Sequence, residues 1–106
     1  MTAAERLEGI FLSVPDRSAF VDLPDDVSVT FDLQGEGGGT WTVTRTSGRT
    51  AVERAGVASP DCRIACTVGD FLELLEGVLD VRHAFLAGRL DVQGDVGLAL
   101  RLRRAR

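Results

Sequence analysis

The sequence predicts a mixed α/β fold of the α+β type, in which helices cover one face of a five-stranded, largely antiparallel sheet. Three observations predict it. Apolar residues recur with a period of two between residues 27 and 67, each predicted strand has one apolar and one polar face, and apolar residues at helical spacing lie before and after this region. A chain of 106 residues has room for one domain, which we assign to residues 1–106.

The first predicted element is a helix at the N-terminus. Residues 2–5 have the spacing of a capping box, and Pro15 should end the helix. Its apolar stripe consists of Leu7, Ile10, Phe11 and Val14. Residues 16–21 predict a further short turn of helix.

Four strands follow, separated by residues that are typical of turns. The predicted strands are residues 27–33, 40–45, 50–54 and 62–67. The segments between them are the glycine-rich loop 35–39, the turn Ser47-Gly48 and a stretch that ends in the strand-breaking residues Pro60-Asp61. No helix follows the glycine-rich loop, so we interpret it as a connection and not as a phosphate-binding loop. The polar face of the sheet should be open to water, and the second half of the chain should cover the apolar face.

The second half of the chain begins with another capping-box spacing, from Thr67 to Asp70. The helix that it predicts carries an apolar stripe and stops near Gly77. That stripe consists of Phe71, Leu72, Leu75 and Leu79. Asp80 can cap a second, shorter helix with Val81, Ala84 and Phe85, which Gly88 ends, and Leu90 and Val92 predict a fifth strand.

The last segment, residues 94–102, has two interpretations. Alternation of Leu98, Leu100 and Leu102 predicts a strand that pairs back as a hairpin, and the local pattern slightly favours it. Alternatively, Asp95 caps a helix with Leu98 and Leu102 on one stripe.

The charges indicate which partners to expect. All 12 basic residues are arginine, and four of them lie in the last six positions, so residues 1–100 carry 8 arginines against 16 acids, a formal charge of −8. Such an acidic body repels phosphate backbones, and we expect no nucleic-acid partner. The arginine-rich end, residues 101–106, is either a solvated helix terminus or a contact for an anionic membrane.

The two cysteines predict neither a disulfide nor a metal site. Cys62 and Cys66 stand four residues apart on one predicted strand, about 13 Å, whereas a disulfide needs Cα atoms within about 7 Å. Two thiols alone also make a poor zinc site. We interpret both as small buried hydrophobic side chains in a reducing compartment, and the apolar runs are too short for a signal peptide or membrane span, so we expect a cytoplasmic protein.

No arrangement in the sequence predicts catalysis. His83 is the one histidine, it belongs to no recognisable triad, and we expect it to be exposed or to lie at a helix end. Asp70, Asp80 and Asp95 all stand at predicted helix starts, where capping explains them. We therefore expect no catalytic residue, no metal and no cofactor.

Two blocks of sequence carry a resemblance to a known family. Residues 64–77 form a strand and a capped helix, and residues 83–100 contain the pattern A-F-x-x-G-x-L-x-x-x-G-D-x-x-L-A with every fixed position present. In these blocks, and in the strand-loop-strand around residues 35–39, the chain resembles the sterol carrier protein 2 (SCP2) domain family. The resemblance covers about three quarters of the chain and is weakest at the N-terminus.

The resemblance implies a five-stranded sheet with helices covering one face. It also implies that the final segment of the chain is a helix. It also implies binding of a fatty acyl chain, a sterol or another hydrophobic small molecule between sheet and helices, for transfer or presentation. The apolar residues that we expect to line this pocket are Phe31, Trp41, Val43, Ile64, Phe71, Leu72, Leu75, Phe85, Leu86, Leu90, Val92, Leu98 and Leu102.

Three alternatives remain open on the residues themselves. The same side chains would fill an ordinary closed core, because no spacing distinguishes a lined tunnel from a packed interior. The chain could also be a cofactor-independent enzyme of the cyclase kind, with an acid or base inside the apolar pocket. A third alternative is a non-catalytic accessory domain that presents a hydrophobic substrate to a partner enzyme, for which an exposed apolar patch or a stable dimer would be evidence. A transient contact with a membrane fits either binding role, and the sequence leaves the oligomeric state open.

Overall fold

The computed structural model describes residues 3–12, 24–76 and 78–100. These residues form four helices and five strands. In chain order they are α1 (Ala3–Leu12), β1 (Val27–Gln34), β2 (Gly39–Thr46), β3 (Arg49–Glu53), β4 (Cys62–Thr67), α2 (Val68–Glu76), α3 (Val81–Leu86), β5 (Asp91–Gly94) and α4 (Val96–Ala99).

The five strands form one sheet in the order β3-β2-β1-β4-β5. Strand β1 lies at its centre, antiparallel to β2 and parallel to β4, and the pairs β2–β3 and β4–β5 are antiparallel. The prediction of a largely antiparallel sheet is therefore confirmed, with one parallel pair. That pair arises because β2 and β3 lie on one side of β1, and the chain then crosses over to add β4 on the other side.

The predicted turn at Ser47-Gly48 joins β2 to β3. Ser47 and Gly48 have φ values of 50° and 79°, so both central residues are left-handed, as the two-residue turn that suits the twist of a hairpin requires. The turn sets Thr46 opposite Arg49, and this register places Val43 beside Val52 on the apolar face.

The hydrophobic core lies between the sheet and the helices. Strand residues of alternating position point into it, and α1, α2, α3 and α4 each contribute buried side chains. The core residues are Leu7, Phe11, Val29, Phe31, Leu33, Trp41, Val43, Cys62, Ile64, Cys66, Val68, Phe71, Leu74, Leu75, Ala84, Leu90, Leu98 and Ala99.

The other face of the sheet is not fully open to water, which corrects the prediction from the alternating pattern. Thr30 and Thr42 on this face are buried, and their hydroxyl groups are 3.0 Å apart. The chain after β3 folds back over them, since the Thr42 hydroxyl donates a hydrogen bond to the Ala55 carbonyl oxygen at 2.6 Å. Threonine suits this position because it has high strand propensity and a hydroxyl that satisfies a loop carbonyl.

The C-terminal segment is helical, as the family resemblance implies, and the hairpin alternative is wrong. Gly94 ends β5 with a φ of 90°, and the Asp95 carboxylate then accepts a hydrogen bond from the Gly97 amide at 3.0 Å, which starts α4. The Asp95 amide donates to the Asp61 carbonyl at 2.9 Å and turns the chain away from the sheet edge. This bond is non-local, so the local pattern could not indicate it.

Several predicted features lie outside the described residues. They are the cap at residue 2, Val14, the short helix at 16–21, Leu102 and the arginines of residues 101–106. Across the described part of the chain, no helix has the length and hydropathy needed to cross a membrane.

Candidate functional site

Four aromatic rings meet between the centre of the sheet and α2. The ring of Phe11 stacks on Trp41, with centroids 4.7 Å apart and planes at 7°, and on Phe71, with centroids 5.7 Å apart and planes at 3°. Phe31 lies tilted 5.6 Å from Phe11 and edge-on 5.6 Å from Phe71. We call these four residues the aromatic cluster. Each of these geometries is one that aromatic pairs favour.

The position of Phe11 determines whether the interior is open or filled. Trp41 belongs to the sheet and Phe71 to α2, so the ring of Phe11 from α1 lies between the two layers that were predicted to enclose a guest. In this conformation the centre of the described interior is packed with the protein's own side chains. Between Trp41 and Phe71, the described interior is therefore filled and not open.

Helix α1 is attached to the rest of the molecule by few described contacts. Leu7 and Phe11 are buried, and on the outer side Arg6 pairs with Glu76 of α2 while Glu8 lies 3.9 Å from Arg54. Both ion pairs are exposed, and such pairs each contribute only about 0–1 kcal/mol. The described attachment of α1 is therefore mainly the burial of two apolar side chains.

Most of the predicted pocket residues come together in this core. Phe31, Trp41, Val43, Ile64, Phe71, Leu75, Leu90 and Leu98 are buried, Leu72 and Val92 are partly buried, and Leu102 lies outside the described residues. Trp41 packs inside the core, and the Arg54 guanidinium lies 5.2 Å from its ring centroid. The structure thus brings these side chains together, and their contact with a ligand stays a prediction.

Phe85 and Leu86 do not pack against the sheet, which corrects that expectation. Phe85 is 41% exposed and Leu86 is 80% exposed. The reason is the rotation of α3: Ala84 is buried and faces inward, and successive helix residues turn by about 100°, so the next two positions point away from the core.

The predicted pocket omits four large residues of the described core. They are Leu7, Phe11, Leu33 and Leu74, all of them buried. For the first two the signal is present in the sequence, since Leu7 and Phe11 are four residues apart and share one helix face. The same sequence gives no sign that Phe11 reaches between Trp41 and Phe71, because these two residues are 30 and 60 positions away from it.

Two cavities lie next to the core, outside the aromatic cluster. One, of about 390 Å³, opens where β1 and β4 end and α2 begins, and its lining includes Glu36, Thr67, Val68 and Leu72. The other, of about 500 Å³, lies on the helix-free face between the sheet and the segment after β3, and its lining includes Thr30, Val57, Arg63 and Gln93. Of the two, the first has Leu72 of the predicted pocket in its wall.

The structure places the two cysteines in the core and the histidine at the surface. Cys62 and Cys66 are free and buried, and burial raises the pKa of Cys62 from 9.0 to about 11 and that of Cys66 from 9.0 to about 12; Asp95 and Asp70, respectively, add to the shift. His83 is exposed, and its amide donates to the Asp80 carboxylate at 3.2 Å. Within the ranges that the structure describes, no three His, Cys, Asp or Glu side chains gather as metal ligands would.

The sequence profile of the SCP-2 sterol transfer family matches residues 25–105. The chain belongs to this family. Over 70 residues it is 36% identical to sterol carrier protein 2 of Homo sapiens, a match that covers 64% of this chain and 13% of that protein. The chain therefore spans only a small part of the length of this SCP-2 family relative. Helix α1 lies before the matched range.

Solved structures of the SCP-2 family share the fold of this chain. Sterol carrier protein 2 like 2 from Aedes aegypti superposes with a TM-score of 0.70 at 22% identity, covering 94% of this chain and 93% of that chain. A second structure, of palmitated SCP2L2 from Aedes aegypti, has a TM-score of 0.65 at 20% identity and covers all of both chains. At these identities the likeness shows the fold, and it confirms the predicted arrangement of sheet and helices.

Proposed function

We propose that this protein binds a fatty acyl chain or another hydrophobic small molecule between the sheet and α2, and that it carries or presents this guest. The observation that carries the proposal is the aromatic cluster, since Phe11 occupies an apolar position between Trp41 and Phe71 that an alkyl chain could take over. Membership of the SCP-2 family and the fold shared with a palmitated protein support it.

Binding in this position requires Phe11 to move out. Leaving the interior costs a phenylalanine about 1.5–3 kcal/mol, whereas ten enclosed methylene groups contribute about 8 kcal/mol before the costs of binding. Exposure of Leu7 with Phe11 would cost about 1.5–3 kcal/mol more, which the methylene groups still exceed. The exposed pairs of Arg6 with Glu76 and Glu8 with Arg54 add little to this cost. The guest therefore replaces Phe11, and α1 shifts to admit it.

The shape of the position favours a linear guest over a rigid one. The rings of Phe11, Trp41 and Phe71 are nearly parallel, so withdrawal of Phe11 leaves a slot about one ring thick. A flexible alkyl chain fits such a slot with little rearrangement, whereas a sterol would have to push the sheet and α2 apart. We therefore expect palmitate to bind more tightly than cholesterol.

The cavity beside α2 is the proposed mouth. It adjoins Leu72, the neighbour of Phe71, and its rim has polar groups from Gln34 and Thr67. A guest in the slot would leave its polar end here, in contact with water. The buried free thiols of Cys62 and Cys66 suit a reducing compartment, and we propose the cytoplasm as the location.

The accessory-domain role is a second candidate. The human relative is much longer than this chain, which covers 13% of it, so related sequences occur as part of larger proteins. Exposed Val78, Phe85 and Leu86 supply the apolar surface that such a role needs. The cyclase alternative has less support, because the buried polar side chains among the described residues are Thr30 and Thr42, neither of which is an acid or base at neutral pH.

The experiment that tests the proposal compares the wild-type protein with Phe11→Ala after removal of lipid. Native mass spectrometry and calorimetry with palmitate, palmitoyl-CoA and cholesterol measure binding. Loss of the ring should lower the free energy of unfolding by about 3–5 kcal/mol without ligand. Because the slot is then empty, palmitate should bind about tenfold more tightly than to the wild type and should restore part of the lost stability.

Val29→Ala is the matched control, since Val29 is buried on the same face of the sheet but is not part of the aromatic cluster. It should destabilise the protein without raising palmitate affinity. If Phe11→Ala does not fold, Phe11→Leu takes its place in the comparison, because this substitution removes less volume. Failure of all three ligands to bind the wild type and the Phe11 variant would refute the proposed function, and equal affinities for both would place the guest elsewhere.

A further inference from the structure

Helix α3 presents an apolar surface that the core does not use. Val78 just before the helix is 70% exposed, and Phe85 and Leu86 within it are also exposed. Three large apolar side chains exposed within nine positions exceed the scattered single exposures that are normal for soluble proteins. With Arg82 they form what we call the α3 surface.

The geometry of α3 places apolar and cationic side chains side by side. Ala84 is buried, so the opposite side of the helix faces water. Arg82 and Leu86 are four residues apart and therefore lie on that outward side, one turn from each other. Phe85 lies to one side of this pair and exposed His83 to the other.

The charge of this surface is opposite to that of the rest of the chain. Residues 78–90 contain two arginines, one histidine and one acid, a formal charge of +1, whereas residues 1–100 carry a formal charge of −8. Arg82 has no ion-pair partner in the described ranges, while Arg89 pairs with Asp70 and lies 3.6 Å from Glu73. Asp80 stands just before the helix and caps it by accepting the His83 amide hydrogen bond. The charge on the outward side of α3, one turn from Leu86, is that of Arg82 and is positive.

We infer that the α3 surface docks on a lipid bilayer that contains anionic lipids. Leu86 and Phe85 would enter the interface between headgroups and acyl chains, and Arg82 would contact the anionic headgroups. The acidic remainder of residues 1–100 is repelled by the same bilayer, so within the described part of the chain the attraction is strongest at α3. The inference deepens the proposed function, on which it rests for its purpose, because a protein that carries an acyl chain must collect or release it at a membrane.

The inference is tested by flotation of the full chain with vesicles of phosphatidylcholine, with and without 30 mol% phosphatidylglycerol, at low and at physiological salt. We expect binding to the anionic vesicles that weakens as salt rises. Leu86→Glu and Arg82→Glu should each lower the partition coefficient at least tenfold. Their matched controls, Val57→Glu and Arg49→Glu, make the same changes of charge at exposed positions away from α3 and should lower it by less than threefold.

Each other outcome overturns the inference. If the wild type does not bind anionic vesicles, or if the α3 variants and their controls lose vesicle binding equally, the α3 surface does not dock on the membrane. Sedimentation analysis that finds a dimer abolished by Leu86→Glu would assign the surface to a second copy of this chain. A melting temperature lowered by more than a few degrees in Leu86→Glu would mean that another part of the chain covers Leu86.

The two proposals can fail separately. Palmitate binding by Leu86→Glu, measured without vesicles, should equal that of the wild type, because Leu86 is outside the core. Loss of vesicle binding with palmitate binding intact concerns the α3 surface alone. Vesicle binding without uptake of palmitate, palmitoyl-CoA or cholesterol would refute the proposed function and leave the docking surface standing.

Discussion

Gly94 combines a left-handed backbone with a close backbone neighbour. Its φ is 90°, and a Cβ atom added there would lie 2.4 Å from the Asp61 carbonyl oxygen. That same oxygen accepts the hydrogen bond from the Asp95 amide. The contact with Asp61 shows why glycine stands here: no side chain fits between the end of β5 and the start of β4.

Gly94→Ala should therefore lower the free energy of unfolding by about 2–4 kcal/mol, since alanine combines a strained φ with a collision against the backbone. Urea unfolding measures this. Gly69→Ala is the matched control, because Gly69 lies in α2 with no atom within 4 Å of its added Cβ. Alanine favours a helix over glycine by up to about 1 kcal/mol, so the control should be stabilised. A Gly94 variant as stable as the wild type would contradict this account.

At the scale of the elements, helix starts were the features that local sequence predicted best. Thr67 and Asp80 both accept hydrogen bonds from amides three residues later, at 3.1 and 3.2 Å. Local residues make these bonds, so local spacing indicates them. Asp70, three positions after Thr67, departs from the capping box, because its carboxylate pairs with Arg89.

Thr67→Ala should lower the free energy of unfolding by about 1 kcal/mol through loss of the cap on α2. The comparison is Thr46→Ala, an exposed threonine at the end of β2, which should change it by less than about 0.5 kcal/mol. Thermal unfolding of both variants provides the measurement. Equal effects would show that the Thr67 hydroxyl contributes nothing as a cap.

The rotation of α3 is the element-scale feature that local sequence could not fix. Apolar residues lie on almost every side of this six-residue helix, from Val81 through Ala84 and Phe85 to Leu86. A helix of fewer than two turns has too few positions for periodicity to indicate which face points inward. Ala84 is the residue that turns inward, and the chain after the helix folds back, with the Arg89 and Leu90 amides donating to the Ala84 carbonyl. These bonds come from residues beyond the helix, so its own six positions do not indicate them.

At the scale of the whole molecule, the sequence predicted the sheet, its covered face and the family, but not the state of the interior. Alternation in β1, β2 and β4 identifies the side chains that face inward. Whether they enclose space depends on how α1 docks, and the contact of Phe11 with Phe71 joins positions 60 residues apart. Non-local packing of this kind leaves no periodic signal.

The stability of the molecule in alkali should depend on its two thiols. The chain has no lysine and no tyrosine, so between pH 9 and 11 its cysteines are the side chains that titrate. Unfolded thiols release their protons near pH 9.0, whereas in the fold the pKa rises to about 11 for Cys62 and about 12 for Cys66, chiefly through burial. Above pH 9 the unfolded state therefore binds fewer protons, and stability falls by up to about 1.4 kcal/mol per pH unit for each thiol.

Urea unfolding at pH 7, 9 and 10 checks this. The wild type should lose little stability between pH 7 and 8.5 and progressively more above pH 9. The double variant Cys62→Ala, Cys66→Ala begins less stable, yet its stability should stay nearly level up to pH 10. A variant that declines as steeply as the wild type would assign the alkaline loss to another cause.

Under the proposed exchange, the ring of Phe11 competes with the guest for the same position. Because the ring competes at a fixed effective concentration, fatty acid displaces it only above a certain free concentration. Below that concentration the ring stays in place. Protein that is purified without ligand from a dilute preparation would then indicate a low concentration of fatty acid and not an inability to bind it. Substitutions along α1 would move that threshold, so the affinity of the carrier could be adjusted without altering any residue that touches the cargo.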